Sequence, residues 1–69
     1  MKAVLKWRNK FSGEEGFVKS VSKVNGHFIN TWDLRNAKIY KGEKQLNNDL
    51  EILNCIGETK MNMFFRVDL

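Results

Sequence analysis

Residues 44–56, KQLNNDLEILNCI, decide the fold. Leu46, Leu50 and Leu53 recur at helical spacing, and Ile52 and Ile56 widen the same apolar stripe. Gly57 follows at once, where a left-handed helix end favours glycine. The start falls near Gly42–Glu43, with the glutamate in the first turn, where it opposes the helix dipole. It is the one convincing helix in 69 residues, so it is expected to lie across a sheet formed by the other segments.

Downstream, Glu58-Thr59-Lys60 reads as a turn, and Met61, Met63, Phe65, Val67 and Leu69 alternate with Asn62, Phe64, Arg66 and Asp68. This is the best-patterned strand in the chain, and its first set is expected to face the helix. Upstream, residues 33–36 break the alternation and predict a bend. Ala37-Lys38-Ile39-Tyr40 predicts a short fourth strand or an extended lead-in to the helix.

Further back, Phe17 to Val24 and His27 to Trp32 flank Asn25-Gly26, a pair favoured in two-residue hairpin turns. That turn would set Val24 opposite His27, Lys23 opposite Phe28 and Lys19 opposite Trp32. One hairpin face then carries Phe17, Lys19, Val21, Lys23, Phe28, Asn30 and Trp32; the other carries Val18, Ser20, Ser22, Val24, His27, Ile29 and Thr31. Either face could lie beneath the helix. At the amino terminus Ala3, Leu5, Trp7 and Phe11 alternate with Lys2, Lys6, Arg8 and Lys10, which predicts a half-buried strand with an outward basic row. Ser12-Gly13-Glu14-Glu15-Gly16 is a polar turn. It lacks the lysine and hydroxyl of a phosphate-cradling loop, and its glutamates would repel phosphate. No repeat or low-complexity run interrupts the chain.

The sum is one small α+β domain over residues 1–69: a mainly antiparallel sheet of about four strands with one helix on one face, in the order β-β-β-(β)-α-β. A composition 42% hydrophobic and 29% charged, without proline, fits a folded domain rather than a disordered tail. The single cysteine, Cys55, allows neither an internal disulfide nor a cysteine-based zinc site. A cytoplasmic setting is the expectation, since the lone cysteine suits a reducing compartment and no secretory or membrane-spanning apolar run is present in the sequence. The net charge of +4 is uneven: residues 1–41 carry nine Lys/Arg and three Asp/Glu, residues 42–69 three and five. A basic sheet half suits an anionic partner, although excess lysine also serves solubility.

The stretch GFVKSVSKVNGHFINTW, continuing through NAKIYKGEK to NCIGETKMNMFF, resembles short uncharacterised proteins of Gram-positive bacteria and their phages or mobile elements. Gly26-His27-Phe28, Asn30-Thr31, Ala37-Lys38 and Gly57-Glu58 carry the resemblance. It implies a small intracellular accessory protein and transfers no active residue.

Enzyme chemistry finds no support in the residues. His27 stands alone beside a turn and reads as a surface or pairing residue. Cys55 lies near a helix C-terminus, which disfavours a thiolate, and reads as a small core or boundary residue. Glu14, Glu15, Asp49, Glu51 and Glu58 show no spacing for metal binding or paired acid–base work. A non-enzymatic binding module without cofactor is the expectation. Its first reading is association with nucleic acid through Lys2, Lys6, Arg8, Lys19, Lys23 and Trp32. If the small hairpin face is buried, Phe17, Phe28 and Trp32 are exposed beside lysines, as on a single-strand stacking platform. If the aromatics are core, a basic sheet face could still hold phosphates. The alternative is a protein-interaction module, a regulator or inhibitor, acting through a sheet edge or as a homodimer.

Overall fold

The computed structural model describes residues 1–24, 26–55 and 61–69. Strands β1 (Ala3–Asn9), β2 (Glu15–Ser22) and β3 (His27–Thr31) come first, then a 3-10 turn at Leu34–Asn36, helix α1 (Glu43–Cys55) and strand β4 (Asn62–Asp68). The strands form one antiparallel sheet in the order β3-β2-β1-β4, and α1 lies on one face. The expected α+β architecture is therefore the observed one.

β1 ends at Asn9 because the Asn9 side chain turns the chain over. Its Oδ1 accepts from the backbone N–H of Phe11 at 2.8 Å and of Ser12 at 2.9 Å. Gly13 then supplies the positive φ of 78° that brings Glu14 back against Asn9. Phe11 is consequently thrown out to 80% exposure instead of joining the inward set of β1. The inward set is Ala3, Leu5 and Trp7, which pack with Val18, Tyr40, Leu46 and Leu53 as the core. Full burial of each such leucine is worth roughly 1.5–3 kcal/mol before opposing entropy.

The hairpin differs from the two-residue expectation. Ser22 pairs with His27 and Val21 with Phe28, a register two residues away from the expected pairing of Val24 with His27, and Gly26 has a φ of 63°. The register then slips between Val18 and Ser20, leaving Lys19 as a bulge. A bulge reverses the alternation, so neither expected face is buried whole. Val18, Val21 and Phe28 go inward, while Phe17, Ser20 and Ile29 turn outward. The local reason is visible in the backbone. β2 pairs with β1 only around Lys6–Arg8, and beyond that point residues 38–40 come between the two strands. Ala3 exchanges both backbone bonds with Tyr40, at 3.0 and 2.8 Å, and the Lys38 N–H donates to the Val18 carbonyl at 3.1 Å. The expected fourth strand is thus a single bridge at Tyr40. The expected bend at residues 33–36 is the 3-10 turn, capped by the Asp33 carboxylate on the Arg35 N–H.

β4 takes the opposite phase from the expected one. Its register sets Trp7 beside Phe64 and Lys6 beside Phe65, so Phe64 faces the helix and Met63, Phe65 and Val67 face away. Phe64 meets Phe28 edge-on, with ring centroids 5.0 Å apart, across the two inner strands. Arg66 reaches Glu43 at the helix start, at 3.4 Å, and Asp68 at 2.8 Å. The helix cap expected at Gly57 and the turn at residues 58–60 lie outside the described residues. No helix among the described residues is long and apolar enough to cross a membrane.

Candidate nucleic-acid interface

The face of the sheet away from α1 is not covered by any helix among the described residues. Strand alternation places Val4, Lys6 and Arg8 of β1 there, with Glu15 and Phe17 of β2 and Met63, Phe65 and Val67 of β4. One cross-strand row reads Thr31, Phe17, Lys6, Phe65. The next reads Glu15, Arg8, Met63. Phe17, Phe65 and Val67 are half-buried, Met63 is half-exposed, and Val4 beneath them is fully enclosed.

The cations are held close to the aromatic. The Arg8 guanidinium stands 5.5 Å and the Lys6 ammonium 6.0 Å from the Phe65 ring centroid. Both also pair with Glu15, each at 2.6 Å. Hydrogen bonds from Lys6 and then Arg8 pull the Glu15 carboxyl below its ordinary range, so it is ionised whenever the pair is intact. Lys6, Arg8 and Glu15 together leave one net positive charge between two phenylalanines.

Of the residues singled out in the sequence, the structure brings together Lys6 and Arg8. Lys2 precedes the strand and is exposed, its carbonyl accepting from Leu69. Lys19 is exposed at the bulge. Lys23 and Trp32 belong to the other side of the sheet. Lys23 borders a hollow with Asn48, Glu51, Ile52 and Cys55 of the helix. Trp32 is 65% exposed but rests edge-on against Trp7, 5.2 Å away, and Trp7 is part of the helix-side core. Cys55 is exposed rather than core. His27 is half-buried opposite Ser22 on the hairpin.

Phe65 and Glu15 were not among the sequence candidates. A signal for Phe65 existed: adjacent Phe64 and Phe65 on one strand must point to opposite faces, so one of them leaves the core. Asp49 was also legible. It stands three residues after Leu46 and four before Leu53, on the apolar stripe, and is 8% exposed. Its Oδ2 accepts from the Tyr40 hydroxyl at 2.5 Å and from Lys38 at 2.9 Å. Burial, and then that hydrogen bond, push the Tyr40 hydroxyl far above its ordinary pKa. The cluster ties the helix to the bridge segment. Among the described residues no group of three or more His, Cys, Asp or Glu could hold a metal ion.

Together these features define a small α+β domain with one open, aromatic and cationic sheet face. Comparison with family models, curated proteins and solved structures finds no match for the chain.

Proposed function

We propose that the domain is a non-enzymatic, cytoplasmic binding module for single-stranded nucleic acid, and that its open sheet face is the platform. The row Phe17–Lys6–Phe65 carries the reading. Bases have flat faces that stack on phenylalanine rings, and the cations beside those rings would meet the phosphates. A net charge of +4 supports approach of a polyanion. A small accessory protein of a bacterial or phage genome would suit such a role.

Anisotropy of labelled single-stranded DNA and RNA, titrated at low and moderate salt, tests it. Trp7 and Trp32 lie on the helix side, so intrinsic fluorescence would not report this face. The expected result is binding that weakens with salt, and that Phe65→Ala weakens roughly 5- to 100-fold, the loss of one base stack. Absence of binding at low salt, or a Phe65→Ala variant that binds like its parent, overturns the reading. A second reading, a protein-interaction module acting through a sheet edge, is favoured by the outer edge of β4, which no other strand among the described residues pairs with. That interface would be nearly indifferent to salt.

A further inference from the structure

The backbone groups of β4 divide cleanly between two sides. Met61 accepts from the Lys10 N–H at 2.8 Å and the Leu69 N–H donates to Lys2 at 2.9 Å, so the odd-numbered residues of β4 point toward β1. The even-numbered residues, Asn62, Phe64, Arg66 and Asp68, therefore turn their N–H and C=O groups to the outer edge. No described residue bonds to them there.

Edges of this kind are usually blunted by proline, by unpaired charged side chains, lysine above all, by a bulge or by short length. The other edge strand, β3, is five residues long and faces the bulge at Lys19. β4 is seven residues long, pairs with β1 without a register shift, and contains neither proline nor lysine; its two charged side chains, Arg66 and Asp68, are paired with each other on the helix side. Met63, Phe65 and Val67 also carry the apolar open face right to this edge.

We infer that β4 pairs antiparallel with β4 of a second copy, joining two four-stranded sheets into one continuous sheet across a two-fold axis at Phe65. Two-fold symmetry and the shared parity of the outward residues leave few registers. One register pairs the whole strand, Asn62 opposite Asp68 and Phe64 opposite Arg66, with Phe65 facing its own copy. A two-residue slip one way sets Arg66 directly opposite Arg66; a slip the other way leaves Asp68 without a strand partner. In the full register an amide meets a carboxylate at each end. The two Arg66 side chains lie among the Glu43 and Asp68 carboxylates that already hold them within each copy, so opposite charges interleave across the axis.

The second copy extends the open face as well as the sheet. The row Phe17–Lys6–Phe65 continues into Phe65–Lys6–Phe17 of the second copy, with the two Phe65 residues as a closely spaced, non-hydrogen-bonded pair. The dimer stands independently of nucleic-acid binding, and its test contains no nucleic acid.

Sedimentation of the full chain across a dilution series is the first measurement, and a mass of two chains at the concentrated end is expected. Cross-linking then reads the register. With Cys55→Ser removing the native thiol, Phe65→Cys places two cysteines with Cα atoms about 4.5 Å apart, within disulfide reach. Met63→Cys instead places them about 14 Å apart, four strand positions away from each other and out of reach. Mild oxidation is expected to cross-link the Phe65→Cys chain and not the Met63→Cys chain. A chain that sediments as a monomer throughout overturns the proposal. So does a dimer that cross-links through position 63, or through neither position.

Discussion

The Tyr40 hydroxyl donates to the Asp49 carboxylate at 2.5 Å, between a fully buried tyrosine on the bridge segment and a nearly buried aspartate on the helix. This bond joins the bridge segment to the helix, and Lys38 of the same segment reinforces it from the solvent side at 2.9 Å. A carboxylate on an apolar helix stripe would be costly unpaired. Here it sets the position of α1 over the sheet, because Tyr40 is itself bonded through its backbone to Ala3 of β1.

Replacing Asp49 by alanine strands the buried Tyr40 hydroxyl and frees Lys38. The expected loss is about 2–3 kcal/mol, the cost of a buried polar group left without its partner. Urea unfolding checks it; a midpoint like that of the parent would contradict the structural role given to the pair.

The same bond predicts an alkaline limit to stability. Burial and Asp49 raise the Tyr40 pKa in the folded chain above its unfolded value near 10. A raised folded pKa contributes stability that is complete below the unfolded value and is lost as pH rises beyond it. The slope above pH 10 should approach about 1.4 kcal/mol per pH unit, and Tyr40→Phe should lack that component. Tyr40 is the only tyrosine, so tyrosinate absorbance should appear together with unfolding rather than before it.

Gly16 is predicted to tolerate no side chain. A Cβ at that position would lie 2.7 Å from Cζ2 and Nε1 of Trp7, whose ring covers the β2 backbone there. Trp7 is 7% exposed and packs in the helix-side core, so its ring could yield only by disturbing its neighbours there. Gly16→Ala should therefore cost about 1–3 kcal/mol as an overpacked core. A lowered melting temperature with red-shifted tryptophan emission is the expected result.

Glu15 should restrain the proposed nucleic-acid site. It pairs with Lys6 and Arg8 on the open face, so Glu15→Gln would release these two cations to phosphate. Tighter oligonucleotide binding is expected, with a salt dependence steeper by about 0.7 in log–log slope for each added single-strand phosphate contact. The unfolding midpoint near neutral pH should hardly move, because these are exposed pairs. Weaker binding in Glu15→Gln would count against the platform.

Local pattern carried much of the architecture. The helical period of Leu46, Leu50 and Leu53 locates α1 at Glu43–Cys55, and the alternation in Ala3, Leu5 and Trp7 locates β1 and its inward face. The basic outward pair Lys6 and Arg8 follows from the same alternation. These readings succeed because a single element's period is set by its own backbone geometry. Tertiary structure decided the rest. A strand pattern has two phases, and β4 takes the one that places Phe64 against Phe28 and Trp7, residues far away in sequence. The bulge at Lys19 interchanges the two hairpin faces where residues 38–40 come between β1 and β2, a contact that no local period encodes. The aromatic and cationic row on the open face arises from those two choices, and both depend on which distant side chains share one small core.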